Sequence, residues 1–236
     1  MENIKINWWK TAFNDKFYKI YYSYLKPNYP VYVDNVINFA ELKKENKILD
    51  LACGSGNYLI VFKKKGFNNL TGLDYNYAKI AGKNTEFYDI EIKKGDMRQK
   101  FGNDVYDFIM MASTSFGYFN DVNNKKVLKN CYHALKSGGK LFIDNLSQEF
   151  ITANFQQKNW TKLKEGTFLL EERVLSKDNK YLLSTWHLLE KREIHKLVNK
   201  LRLYSREEFK KLFKEAGFKN AKIKELKTHN WFLAEK

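Results

Sequence analysis

The segment Asp50-Leu51-Ala52-Cys53-Gly54-Ser55-Gly56-Asn57 constrains this chain more than any other. The apolar run before it, residues 47–52, reads as a short buried strand. Residues 58–65 after it read as a helix closed by Gly66. Two glycines between strand and helix allow a tight turn. They also let a ligand approach the backbone, with helix N–H groups aimed at it. Asp74 stands eighteen residues beyond Gly56, at the end of a second strand over 69–74. A carboxylate there can accept from both hydroxyls of a ribose; the alternative is a helix cap or turn residue. A nicotinamide enzyme would share this layout, but Leu59 holds the place of the third glycine that packs beneath a pyrophosphate.

Strand and helix keep alternating. A helix over 75–88 with a glycine interruption is followed by strands over 90–94 and 106–112. A helix over 122–135, stopped by Ser137-Gly138-Gly139, leads to a strand over 140–145. This order predicts a Rossmann-like α/β fold: a mostly parallel seven-stranded sheet with helices on both faces. After Asn145 come β-type segments over 168–175, 181–189 and 194–204, with Lys177-Asp178-Asn179 as a turn. They read as an antiparallel cap inserted after the fifth strand, over one end of the sheet. Ser205-Arg206-Glu207-Glu208 is a capping box, and Phe209, Leu212, Phe213 and Ala216 form the buried stripe of the helix that Gly217 ends. Strands over 221–226 and 230–234 complete the sheet. Ahead of all this, Phe13, Phe17, Tyr21 and Tyr24 recur at helical spacing, Pro27 and Pro30 break that helix, and a second one covers 31–42. The whole, 1–236, is expected to be one domain. Its parts are a helical lid (1–44), a ligand-binding core (45–146), the cap (147–204) and the final helix and strands (205–236).

Further candidate site residues follow the strand ends. In Gly95-Asp96-Met97 the aspartate can accept from an exocyclic adenine amine while Met97 covers the ring; the alternative is a simple Asp turn. The fourth strand runs into Ser113-Thr114-Ser115-Phe116-Gly117-Tyr118-Phe119, at the carboxyl edge where open α/β sheets bind ligands.

The series DLACGSG, GLDYN, GDMR, TSFGYF and LKSGGKLFIDN resembles the class I S-adenosylmethionine-dependent methyltransferases over residues 45–146. It is similar to the small-molecule branch that includes glycine N-methyltransferases and amino-sugar N,N-dimethyltransferases. The resemblance implies S-adenosylmethionine as cofactor, with S-adenosylhomocysteine as product. It places Asp50, Ala52, Gly54 and Gly56 at the cofactor loop, Ala52 standing where many class members carry glycine. Asp74 and Tyr75 fall at the ribose, Asp96 and Met97 at the adenine, and Ser113 at the methionine part. It also implies a lid role for the N-terminal tyrosines, with Tyr18 toward the cofactor and Tyr22 toward the acceptor. Thr114, Tyr22, Arg202 and Tyr204 are the expected acceptor-positioning residues. Arg202 and Tyr204 are read as sharing a strand face, the arginine as a clamp for a carboxylate or phosphate.

Composition bounds the rest. The net charge of +15 comes from 42 basic and 27 acidic residues, but only five of the basic ones are arginine, and the lysines are dispersed. This favours a small-molecule partner over nucleic acid. No apolar run suits a membrane span and no signal peptide is read, so a cytoplasmic place is expected, with Cys53 and Cys131 reduced. No metal-ligand spacing occurs. His187 and His195 in the cap are candidate bases, His133 reads as packing or surface, and His229 sits in a late loop beside Trp231. The expected function is methyl transfer to a small molecule, with an amine nitrogen foremost. The rival readings are an RNA methyltransferase and a non-catalytic cofactor-binding protein.

Overall fold

The computed structural model describes residues 7–14, 18, 28–190 and 193–236. In chain order the elements begin with α1 (Trp9–Ala12), α2 (Tyr29–Ala40), β1 (Ile48–Leu51), α3 (Asn57–Lys64), β2 (Leu70–Asp74), α4 (Ala78–Thr85) and β3 (Glu91–Lys94). They continue with β4 (Tyr106–Met111), α5 (Asp121–Ala134), β5 (Leu135–Leu146), α6 (Gln148–Ala153), β6 (Lys158–Lys164), β7 (Thr167–Leu175), β8 (Tyr181–Glu190) and β9 (Glu193–Arg202). The last are α7 (Arg206–Ala216), β10 (Lys219–Glu225) and β11 (His229–Glu235). The chain forms two compact units, Asn28–Ser147 with Tyr204–Lys236, and Met1–Pro27 with Gln148–Leu203.

The first unit holds a seven-stranded sheet in the order β10-β11-β5-β4-β1-β2-β3. Its pairs are parallel except those made by β11, which runs antiparallel to both β5 and β10. The sheet is buried on both faces, so its central strands are apolar throughout. Ile48, Phe108, Met110, Phe142 and Trp231 join the core lined by Val33, Val36 and Ala40 of α2 and Leu59 and Phe62 of α3. Their neighbours in sequence, Leu49, Ile109, Met111, Ile143 and Phe232, face Val127 and Leu128 of α5 and Phe209 and Phe213 of α7. Each such side chain contributes roughly 1.5–3 kcal/mol by leaving water. Strand order reverses between β1 and β4, and the crevice at their carboxyl ends is where such sheets bind ligands.

Several helix boundaries differ from expectation for local reasons. Pro30 lies in the first turn of α2, where its missing N–H costs nothing, and Asn28 caps the helix by accepting from the Val31 N–H. Because Val33, Val36 and Ala40 are core, this helix is part of the first unit's body rather than of a lid. Gly82 does not interrupt α4, which instead starts late because Asp74 ties up the Asn76 and Tyr77 N–H groups. Helix α5 ends at Ala134, three residues before Ser137-Gly138-Gly139; those residues lie within β5 at a register shift against β4. The capping box of α7 forms as read, with Ser205 Oγ accepting from the Glu208 N–H and Glu208 reaching back to the Ser205 N–H.

The second unit carries an antiparallel meander, β6-β7-β8-β9. The expected turn joins β7 to β8, with Ser176 Oγ donating to Asp178 and Asn179 left-handed at φ 56°. Strand β6 and helix α6 are additional to the reading. The aromatic stripe expected over 13–24 falls mostly outside the described residues. No described helix is long and apolar enough to cross a membrane.

Candidate functional site

The glycine loop leaves the end of β1 in left-handed steps, with φ of 66° at Ala52, 55° at Gly54 and 80° at Gly56. The N–H groups of Ala52 and Cys53 both donate to the Leu73 carbonyl, at 2.8 and 3.1 Å, fastening the loop to the end of β2. The two glycines are there for different reasons. A Cβ on Gly56 would stand 2.9 Å from Thr85 Cγ2, whereas one on Gly54 would meet nothing within 4 Å. Gly56 is therefore a packing requirement, and Gly54 fronts open space of the kind a ligand needs. Gly56→Ala should destabilise the protein by about 1–3 kcal/mol, from strain and contact together. Gly54→Ala should lower the melting temperature less and reduce ligand affinity more. Melting curves beside calorimetry separate the two.

Asp74 ends β2 and is buried. One oxygen accepts from the Gly54 N–H at 2.9 Å, and the other from the N–H groups of Asn76 and Tyr77 at 2.8 and 2.7 Å. It therefore locks the glycine loop to the start of the next turn. This is the cap and turn role held as its alternative, and it fixes the carboxylate at the end of β2. A carboxylate has about four acceptor sites, so three internal bonds still leave acceptor capacity. Burial pushes its carboxyl above the usual range despite the three N–H groups. Asp50, inside β1, is 1% exposed, and its Oδ2 has no partner among the described residues. Burial, with the nearby Asp74 charge, pushes Asp50 up to about 8. Such a carboxyl is neutral below that value, and an opposite charge brought beside it would favour its ionised form.

At the next strand end, Asp96 is gripped by Arg98 through Nε at 3.0 Å and Nη2 at 2.6 Å, and it also accepts from the Arg98 N–H. The guanidinium lies 4.6 Å over the Phe119 ring. Arg98, the last residue of the GDMR motif, thus orients the carboxylate expected at the adenine. Met97 packs against the core beside it, its carbonyl accepting from Asn130 at 3.2 Å, and Tyr75 is half-buried at the head of the same turn.

After β4, Ser113 and Thr114 are both left-handed, at φ 54° and 60°. Two consecutive non-glycine residues in that region carry strain, and here they are pinned from neighbouring elements. The Thr114 N–H donates to the Asp144 carbonyl at 2.9 Å, and Ser113 Oγ is 2.9 Å from the Tyr58 hydroxyl. Asp144 itself is 4% exposed near the end of β5. Its Oδ2 accepts from the Tyr32 hydroxyl at 2.7 Å, and its Oδ1 lies 2.8 Å from His229 Nδ1. Burial, and then the Asp144 charge, push the Tyr32 hydroxyl well above its ordinary value. This link is invisible in the sequence, because nothing in the spacing of two residues 85 apart shows that their strands pair.

The remaining expected residues separate. Strand β9 ends at Arg202, so Tyr204 does not share its face; it belongs to the first unit. There it is 2% exposed, packs on Phe116 and Phe209, donates to Asp121 and accepts from Asn124. It is a core residue rather than an acceptor contact. Arg202 lies over the Tyr181 ring and donates to the Leu203 carbonyl within the second unit. Tyr18 also belongs to that unit, its N–H donating to the Asn14 carbonyl at 2.9 Å, and Tyr22 lies outside the described residues. His187 is opposite Leu170 and Lys196 while His195 is opposite Leu188, so the two candidate bases point to opposite faces of their sheet.

A family model described as Methyltransferase domain matches residues 24–223. Among curated proteins, the chain is 32% identical over 118 residues to a demethylmenaquinone methyltransferase of Lactobacillus johnsonii, covering 46% of this chain and 47% of that one. It thus spans about half the length of that relative. It is 26% identical over 210 residues to a carboxy-S-adenosyl-L-methionine synthase of Nautilia profundicola, covering 85% and 80%. Among solved structures, an amino pentose methyltransferase from Micromonospora echinaspora with S-adenosylmethionine bound superposes at a TM-score of 0.72. That match covers 94% of this chain and 98% of the other at 17% identity, a likeness of fold.

Proposed function

We propose that this chain, which belongs to the Methyltransferase domain family, is an S-adenosylmethionine-dependent methyltransferase whose acceptor is an amine nitrogen on a small molecule. The observation that carries the cofactor assignment is Asp50. Its buried, unpartnered Oδ2, on the strand that runs into the glycine loop, suits the ammonium end of a methionine group. In this reading Asp50, Ala52, Gly54 and Gly56 hold that end, Asp74 and Tyr75 the ribose, and Asp96 and Met97 the adenine. Ser113 and Thr114 face the methionine part and the acceptor. The amine preference draws support from the shared fold of the amino pentose methyltransferase.

S-adenosylmethionine supplies a methyl group on a sulfonium whose departure leaves a neutral thioether. Positive charge disperses along the reacting line, so the protein gains most by positioning the acceptor and excluding water. The strained Ser113–Thr114 backbone, pinned from β5, is suited to that. No acid or base is needed once the amine is neutral.

Calorimetry should show S-adenosylhomocysteine binding to the intact protein. A panel of small amines, including amino sugars and glycine, should then release S-adenosylhomocysteine. Binding of the product with no turnover of any acceptor would leave the non-catalytic reading. The +15 charge is the one feature that favours RNA, so methyl incorporation into RNA, with steep salt dependence, would put that acceptor in place of the amine.

A further inference from the structure

The first unit contains a carboxylate–imidazole pair that none of the roles above uses. β11 runs antiparallel to β5, with His229 opposite Leu146 and Trp231 opposite Asp144. Side chains two apart along a strand share a face, so Asp144, His229 and Trp231 stand on the same side of the sheet. His229 is at the start of β11, which places it at the carboxyl edge of the parallel strands. Along that edge the order is β11, β5, β4, β1, β2. At about 4.8 Å per strand, His229 lies roughly 10 Å from the Ser113–Thr114 turn after β4 and roughly 14 Å from the glycine loop after β1. That is the acceptor's side of a methyl donor laid over β1 and β4.

The pair is asymmetric in burial: the Asp144 side chain is 6% exposed and the His229 ring 30%. Asp144 is fixed at its other oxygen by the Tyr32 hydroxyl, while its main-chain carbonyl holds the Thr114 N–H. One residue therefore supports both the acceptor turn and the imidazole. Among the described residues, His229 Nε2 has no hydrogen-bond partner. A carboxylate on Nδ1 selects the tautomer with the proton there and leaves Nε2 as a lone-pair acceptor. The titratable groups linked to this pair are Tyr32 on α2, which donates to Asp144, Tyr58 on α3, whose ring packs on Tyr32, and Lys224 on β10, opposite Trp231. Of these, Lys224 lies 5.3 Å over the Trp231 ring.

We propose that His229, oriented by Asp144, is the general base that deprotonates the methyl acceptor. The inference rests on the amine reading above. An acceptor arriving as an ammonium ion gives one N–H proton to His229 Nε2, and the N–H bonding pair becomes the nitrogen lone pair. That pair forms the new N–C bond as the C–S bond breaks and its electrons pass to sulfur. The secondary ammonium product leaves, and the imidazolium returns its proton to water. His229 is the catalytic residue in this scheme, and Asp144 is a positioning residue.

Two experiments test it. The first needs no acceptor: ¹⁵N spectra of the imidazole in the intact protein with S-adenosylhomocysteine bound. The expected result is a neutral His229 with its proton on Nδ1, and Asp144→Asn should redistribute the tautomers. A proton on Nε2 overturns the proposal. The second uses whichever amine of the panel turns over. His229→Gln should bind S-adenosylhomocysteine as the parent does, yet lose roughly 10²–10³-fold in kcat/KM at pH 7. The deficit should shrink above pH 9 as the free amine becomes abundant, and added imidazole should partly restore His229→Ala. Parental rates and pH profile in His229→Gln overturn the proposal. If the parent binds no S-adenosylhomocysteine, the functional reading falls instead, and spectra of the ligand-free protein still decide the dyad's tautomer.

Discussion

Asp74→Ala is expected to destabilise the ligand-free protein by about 3–5 kcal/mol and to abolish measurable binding of S-adenosylhomocysteine. The side chain satisfies three N–H groups at the junction of the glycine loop and the turn after β2. Removing it leaves those donors without an acceptor in a buried place, where each costs about 1–3 kcal/mol unless water reaches it. The same truncation removes the acceptor expected for the ribose. Denaturant unfolding and calorimetry read the two losses separately. Asp74→Asn is the companion variant: its single carbonyl oxygen can keep the Asn76 and Tyr77 N–H groups, so stability should fall less, while its amide presents donors to Gly54. A folded Asp74→Asn protein with parental affinity would remove Asp74 from the ribose site.

The second large effect is a pH dependence centred on Asp50. Its carboxyl titrates near 3.8 in the unfolded chain and at about 8 in the folded one, chiefly through burial and secondarily through the Asp74 charge. Between those values the folded protein holds a proton that the unfolded chain has released. The contribution is therefore fully present below about pH 4 and is lost as pH rises through about 8. The ligand-free protein should weaken by several kcal/mol across that window. Asp50→Asn, neutral and of the same shape, should flatten the slope and be more stable than the parent at pH 8. It should bind S-adenosylhomocysteine worse if Asp50 is the proposed partner of the ligand's ammonium group. A parental slope in the variant would show that Asp50 does not carry the dependence.

What the sequence disclosed and what it hid divide along physical lines. The glycine loop, the carboxylate at the end of β2 and the capping box of α7 are local: a few adjacent residues carry the signal. The apolar strands of the parallel sheet are equally plain, because burial on both faces leaves unbroken runs such as Phe108-Ile109-Met110-Met111. Strand β6 was missed because Lys158-Asn159-Trp160-Thr161-Lys162-Leu163-Lys164 is largely exposed; its β form follows from pairing with β7, not from its own pattern. Tyr204 was misplaced because alternation says nothing about where a strand stops. Leu201–Tyr204 alternates smoothly across the point at which the chain passes from one unit to the other. The Asp144–His229 pair is hidden for a third reason, since only the register of β5 against β11 brings those residues together.

That register also sets the order in which the molecule can be assembled. About eighty residues, including all of the four-stranded sheet, separate β5 from its partner β11. Contacts so distant in sequence form late, after the entropy of closing the intervening loop has been met. Until then β5 is an open edge, and it carries the apolar run Leu141-Phe142-Ile143, which is wholly buried in the finished protein. An uncovered strand of that kind is a template for pairing with other chains. Chains cut before β11 should therefore precipitate during refolding rather than persist as inactive monomers. Growth temperature and chaperone supply should therefore affect the yield of folded protein.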